Sequence, residues 1–277
     1  VFMNKMEREN ASFERVVAEL RDHFGPKLVP IQLPIGEAEA FSGIVDLVKM
    51  KAYVKDGNSF KEAPIPADIE ADVEAAREEM IEAASVADDE LMMKYLEGES
   101  LTDKEIEHAV RLGTQTGEMV PILCGSSQST FGISFLLDHM VQVMPSPVNR
   151  TVTGTGADGS EVTISTGDKD LAALVYKTMA DPYVGKLTLF RVFSGTMRSD
   201  SSAFNVRSER DERIGQLFLI KGKEQVAVSK IGPGDLGAVA KLQDTTTNDT
   251  LASKEKRISI KPIAFPKPTM TMAIQPK

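Results

Sequence analysis

Apolar positions recur along the chain in two rhythms, and the change from one to the other divides it. Val1, Phe2 and Met3 form a short apolar run, after which Phe13, Val16, Val17, Leu20 and Phe24 return at helical spacing. This predicts a strand and then a helix, opened by Asn10 or Ser12 as N-cap and stopped by Gly25-Pro26. Leu28 to Ile35 and Phe41 to Tyr53 alternate or run apolar between breaks at Gly36, Gly43 and Asp56-Gly57-Asn58, which predicts short strands. Ile69, Val73, Ala76, Met80 and Ala84 mark a helix after Pro66, with Leu91, Met92, Tyr95 and Leu96 continuing the pattern. Thr102 opens another through Ile106, Ala109 and Val110. Val120 to Cys124 has the pattern of a buried strand ending at Gly125. Ile133, Leu136, Leu137, Met140, Val141 and Met144 then form a second helical stripe before Pro145-Ser146-Pro147.

The strand-helix pair at Val120 to Met144 repeats the one at the N-terminus. Two such units separated by a long insertion predict the end of a parallel α/β sheet with a subdomain inserted between its last units. Pro145 to Arg150 is the expected linker. Beyond it the helical period disappears. Ala173 to Tyr176, Leu187 to Phe193, Arg213 to Ile220 and Ala238 to Leu242 are strand-like, with glycine-rich breaks such as Gly232-Pro233-Gly234-Asp235 between them. Many short strands at this spacing predict a closed all-β barrel.

Composition narrows the class. With 277 residues, 42% hydrophobic and 26% charged, the chain is an ordinary globular sequence with room for about two domains. It holds no apolar run of membrane-spanning length and opens without a signal-peptide pattern, so a cytoplasmic location is expected. A start at Val with a buried-strand pattern suggests a piece of a longer protein. One cysteine, Cys124, forms no internal disulfide, and with His23, His108 and His139 it makes no metal-ligand set. The histidines all fall in helical segments, where structural or surface roles are expected. The net charge of −9 is uneven. Glu62 to Glu107 holds 16 acidic against 3 basic residues, whereas Val148 to Lys277 holds 19 basic against 14 acidic. An anionic surface repels nucleic acid and a cationic one attracts phosphate, so the two regions suit different partners.

Asn4-Lys5-Met6-Glu7 follows directly on the first predicted strand, where a ligand loop belongs in a parallel sheet. Guanine presents an acceptor oxygen beside two adjacent donors. A loop that reads it needs an amide, a carboxylate and an aliphatic cover, and these residues supply all three. Adenine exchanges the donors for acceptors and leaves buried polar groups unpaired, at about 1 to 3 kcal/mol each. The next parallel strand ends at Cys124-Gly125-Ser126-Ser127, a Gly-Ser turn whose backbone N–H groups could meet the guanine oxygen.

At these residues the chain resembles bacterial translation elongation factor G. The resemblance rests on Asn4 to Ala11, Pro30 to Gly36, Gly43 to Ala52, Met144-Pro145-Ser146-Pro147-Val148 and Asp181-Pro182-Tyr183-Val184-Gly185-Lys186-Leu187. Gly215 to Phe218 and Lys221 to Gln225 are closest to the divergent elongation factor G-like paralogues. The fold class it implies is α/β plus all-β: the C-terminal part of a P-loop GTPase parallel sheet with an inserted α+β subdomain, followed by a translation-factor β-barrel. The implied domains are residues 1–29 and 118–147 for the end of the GTPase domain, 30–117 for the acidic insertion and 148–277 for the barrel. The implied guanine-binding residues are Asn4, Lys5, Glu7, Ser126 and Ser127.

Two departures stand out. The family usually has Asp where this chain has Glu7, and the extra methylene displaces the carboxylate by about 1.5 Å. Ser127 replaces the usual Ala, with its backbone N–H expected to stay available. The motif GxxxxGK[ST] occurs nowhere in the sequence, so no loop cradles phosphates or serves Mg. GTP or GDP with Mg is therefore expected as the cofactor of a full-length parent, and neither tight nucleotide binding nor hydrolysis is expected of this stretch. The resemblance also implies a ribosomal partner, with the stalk protein of the large subunit meeting the acidic insertion and small-subunit ribosomal RNA meeting the barrel. Arg207, Arg210, Arg213, Lys221 and Lys223 are the candidate RNA contacts, diluted by Glu209, Asp211 and Glu212. A non-hydrolysing ribosome-binding module stands as the alternative. So do the peptide release factor and tetracycline ribosomal-protection families, which share the domain order.

Overall fold

The computed structural model describes residues 1–57, 59–181 and 185–275. Asn58 of the predicted break and Pro182-Tyr183-Val184 of the family-like stretch lie outside them. The chain divides into two compact units, Val1–Pro145 and Ser146–Lys277. No helix among the described residues is long and apolar enough to cross a membrane.

In the first unit, β1 (Phe2–Met3) leads into α1 (Phe13–Phe24), and β2 (Leu28–Pro30) follows. Next come β3 (Gln32–Ile35), β4 (Gly43–Asp46), β5 (Lys51–Asp56) and β6 (Ser59–Ala63), a four-stranded antiparallel meander. Three helices, α2 (Glu70–Ser85), α3 (Asp89–Leu96) and α4 (Asp103–Thr116), precede β7 (Val120–Cys124) and α5 (Ile133–Val143). The small sheet has the order β1-β7-β2 and is parallel throughout, with Met3 opposite Cys124 and Val29 opposite Pro121. A parallel sheet needs both faces covered. Met3, Phe13, Val17, Ile122 and Cys124 fill one cluster, while Val29, Leu47, Met80, Ile106 and Val110 fill another.

Local chemistry sets the helix ends. Ser12 occupies the N-cap of α1 without a side-chain cap bond, and the Phe13 N–H instead donates to the Glu37 carboxylate from a distant turn. The pattern expected to run on from α2 is broken: Asp88 caps a separate helix, accepting from the Glu90 and Leu91 N–H groups. Thr102 and Glu105 form a reciprocal capping box at the start of α4. The stripe on α5 is a correction. Leu137, Met140, Val141 and Met144 are exposed, Val141 by 86%, and only Val143 of this helix is buried. The helix packs on α4 near Val143 and on the meander aromatics Tyr53 and Phe60 through Phe135, which leaves its other apolar face uncovered among the described residues.

The second unit is all-β. It contains β8 (Val152–Thr155), β9 (Glu161–Ile164), β10 (Ala172–Asp181), β11 (Gly185–Ser194), β12 (Met197–Arg198), β13 (Ser201–Asn205) and β14 (Arg210–Ile214). These are followed by β15 (Leu217–Lys221), β16 (Glu224–Val228), β17 (Lys230–Ile231), β18 (Leu236–Ala240), β19 (Thr250–Ala252) and β20 (Ser259–Ile260). Eight strands pair antiparallel in the order β14-β13-β19-β10-β11-β18-β15-β16 and curl around Val175, Phe190, Val192, Ile214, Leu217 and Leu251. The expected strand Arg213 to Ile220 is two strands. It breaks at Gly215-Gln216, where Leu217 N–H turns to the Ser199 hydroxyl and β15 pairs with β18.

Candidate functional site

Because β1 and β7 are parallel neighbours, their carboxyl ends lie side by side, and the two loops that follow them meet. The Met6 N–H donates to the Gly125 carbonyl, and the Gly125 N–H to the Met3 carbonyl. Asn4 fastens the loops together. Its Nδ2 donates to Ser127 Oγ at 2.9 Å, and its Oδ1 accepts from the N–H of Ser127 and of Lys5, each at 2.8 Å. Lys5 sits at φ 65°, in the left-handed region, which turns the chain sharply after the strand and leaves its side chain exposed.

Two glycines let the second loop fold so tightly. A Cβ on Gly125 would stand 2.5 Å from the Phe131 carbonyl oxygen, and one on Gly132, at φ 87°, 2.7 Å from the Cys124 carbonyl oxygen. Inside the loop Ser126 is fully buried. Its N–H donates to the Phe131 carbonyl, and its hydroxyl accepts from the Ser129 N–H.

The structure brings Asn4, Ser126 and Ser127 together across more than 120 residues, with Lys5 and Glu7 on the same loop. It also corrects one expectation: the Ser127 N–H is taken by Asn4. The Ser127 hydroxyl, the group an Ala would lack, adds the second strand of that clasp. Glu7 differs too. Both carboxylate oxygens are shielded from solvent and make no hydrogen bond of standard geometry. Burial opposes its ionisation, yet the nearby Ser126 hydroxyl, the loop backbone and the Arg8 and Lys5 charges outweigh that and hold the carboxyl below its ordinary range. Glu7 borders a cavity of about 340 Å³ shared with Phe41, Lys55, Gln128 and Phe131. Phe41 and Phe131 meet edge to face there, centroids 5.8 Å apart. Phe41 and Lys55 arrive from the meander, and no local pattern around residues 4–7 could have pointed to them.

The cationic candidates separate into two groups. Arg207 is committed within the chain: its Nε donates to Asp249 at 2.6 Å and its terminal nitrogen to Asp249 and to the Asp244 carbonyl. The Asp249 carboxylate is buried, which disfavours its charge, but Arg207, Asn205 and the Thr246 N–H more than compensate and hold it below the ordinary range. Arg210 pairs with Asp244 at 3.0 Å. Arg213 is exposed on β14, and Lys221 and Lys223 flank Gly222 at the tip of the β15–β16 hairpin, at the other end of the strand order. The five do not form one patch along the sheet. Among the described residues no cluster of His, Cys, Asp and Glu is arranged to hold a metal ion.

A family model described as elongation factor G domain 2 matches residues 170–254, from β10 to the end of β19. Among solved structures, the chain is similar to a crystal structure of a protein from Thermus thermophilus, with a TM-score of 0.76 and 26% identity over 91% of this chain. The chain spans 36% of that protein's length. The second unit therefore contains an elongation factor G domain 2, and the chain as a whole shares its fold with the Thermus thermophilus protein over 91% of its length.

Proposed function

We propose that the chain is the central stretch of a ribosome-dependent translational GTPase of the elongation factor G type. In this reading residues 1–29 and 118–147 close the GTPase sheet, 30–117 are an inserted acidic subdomain and 148–277 are the barrel. The observation that carries it is the domain 2 match at 170–254 together with a structural similarity that covers 91% of the chain. The loops of Asn4, Lys5 and Glu7 and of Ser126 and Ser127 stand where a guanine base is read in such a sheet.

Their geometry also limits what this stretch does alone. Asn4 and Ser127 satisfy each other, and the Glu7 carboxylate is sealed from solvent, so an arriving base meets few free partners. The sequence carries no GxxxxGK[ST] loop for the nucleotide's phosphates and Mg. GTP or GDP with Mg belongs to the full-length protein, and the isolated stretch binds them weakly and hydrolyses none. Its working surfaces face the ribosome in the cytoplasm: the acidic helices α2 to α4 suit the large-subunit stalk protein, and the cationic barrel suits small-subunit ribosomal RNA. Self-satisfied base loops without a phosphate loop also favour a second reading, a non-hydrolysing ribosome-binding module.

Co-sedimentation of the chain with bacterial ribosomes over a salt series tests the ribosomal partner. Salt-sensitive pelleting is expected, because phosphate contacts release counterions. A folded chain that stays in the supernatant at low salt contradicts it.

A further inference from the structure

We propose that a hydroxyl-rich groove on the barrel, between the β12–β13 turn and the segment after β19, binds the phosphate oxygens of a phosphate-bearing ligand. The groove has a volume of about 420 Å³, and Thr196, Arg198, Ser202, Phe204 and Lys254 help line it. Two cations from different segments, Arg198 and Lys254, line it, and a third, Arg257, stands beside it on Phe204. Arg198, at the end of β12, is exposed, and its guanidinium has no partner among the described residues. Arg257 lies over the Phe204 ring, 4.5 Å from its centroid, so its charge is held in place above one wall of the groove. Lys254 pairs with Asp211 at 2.6 Å, with both side chains about half exposed, a screened contact that exchanges readily for a stronger anion.

The β13–β14 register adds a fourth cation, because Arg213 stands directly opposite Ser202 on the outer face. The hydroxyls of Ser202 and Thr196 have no partner among the described residues and can donate to an oxyanion. Against these stand Asp211 and Glu255, which also line the groove. These two balance Arg198 and Lys254 within the lining, and Arg257 and Arg213 beside the groove make the local charge positive in a chain whose net charge is −9. Guanidinium groups on rigid supports, flanked by hydroxyl donors, match phosphate geometry better than carboxylate or halide. Arg207 and Arg210 contribute nothing to this groove, since their guanidinium groups are held by Asp249 and Asp244.

A ribose-phosphate backbone and free phosphate offer the same chemistry, and the RNA source rests on the ribosomal reading above. The test measures binding of a short fluorescent RNA hairpin to the chain across a salt series, and thermal shifts with inorganic phosphate against chloride at equal ionic strength. The variants are Arg198→Gln with Lys254→Gln and, as a control on the distant hairpin, Lys221→Gln with Lys223→Gln. If RNA is the source, the groove variant lowers the slope of log affinity against log salt by between about one and two, and the hairpin variant lowers it less. If free phosphate is the source, RNA binding is absent, and a phosphate-specific thermal shift is lost in the groove variant alone. RNA binding with a slope unchanged in the groove variant overturns the groove and leaves the ribosomal reading standing. Absence of both RNA binding and the phosphate shift overturns the groove and counts against RNA as the partner of the barrel.

Discussion

The Asn4 amide makes three hydrogen bonds at the two strand ends, and this supply of donors and acceptors explains why the loops are closed. Replacing Ser127 with Ala removes only the hydroxyl bond and should cost about 0.5 kcal/mol, while Asn4→Ala removes all three bonds, whose exposed N–H groups turn to water, and should cost about 1 to 1.5. Chemical denaturation of the two variants checks that order, and an equal or reversed cost contradicts the clasp. Arg207 behaves as a structural residue by the same accounting. Arg207→Ala leaves the buried Asp249 carboxylate without its cation and should destabilise by about 3 kcal/mol, whereas Arg213→Ala on the exposed strand face should stay within about 0.5. Thermal melts of both separate them. His139 on α5 is half-buried with Nε2 unpartnered, and burial, with a smaller effect of the N-terminal charge, lowers its pKa to about 4. Between about pH 6.5 and 4 the unfolded chain binds the proton more readily than the folded one. Stability therefore falls as pH drops through that window. His139→Gln should flatten this part of the stability curve, and an unchanged acid slope would show that His139 does not set it.

Among the elements, α4 shows how a local signal becomes structure. Thr102 accepts from the Glu105 N–H while the Glu105 carboxylate accepts from the Thr102 N–H, and Lys94 joins at 2.6 Å. The Lys94 ammonium and the Thr102 groups hold the Glu105 carboxyl down to about 2. Thr102→Ala should cost about 1 kcal/mol, read as a lower unfolding midpoint; no change would mean that packing alone fixes this end. The Thr102 start of α4, the Gly25 stop of α1 and the strand Val120 to Cys124 were legible because each depends on neighbours in sequence. The Glu37 cap of α1 was not, since its acceptor comes from a distant turn. The α5 stripe misled for a related reason. Periodicity reports an apolar face but not whether enough surface exists to cover it. Leu137→Glu with Val141→Glu should leave the unfolding midpoint nearly unchanged and reduce dye binding or self-association. A large loss of stability would mean that this face is buried in solution.

At the scale of the whole molecule, the alternation of rhythms was enough to read a parallel α/β end and an all-β barrel, because strand and helix periods differ whatever the tertiary contacts. The meeting of the loops after β1 and β7 was also legible, as two turns after strands expected to be parallel neighbours. Their closure was not: the Asn4–Ser127 bonds link positions 123 residues apart, and the Glu7 environment draws on Phe41 and Lys55 from the meander. The cationic candidates chosen by proximity in sequence scattered, because a β-hairpin sends successive residues to opposite faces and neighbouring strands to different partners. The central claim is that this stretch belongs to a translational GTPase, and sequencing the source gene upstream of the Val1 codon tests it most directly. The account predicts an in-frame GxxxxGK[ST] phosphate loop within about 150 residues, a typical domain length. A start codon immediately before Val1, or an upstream frame without that motif, would contradict it.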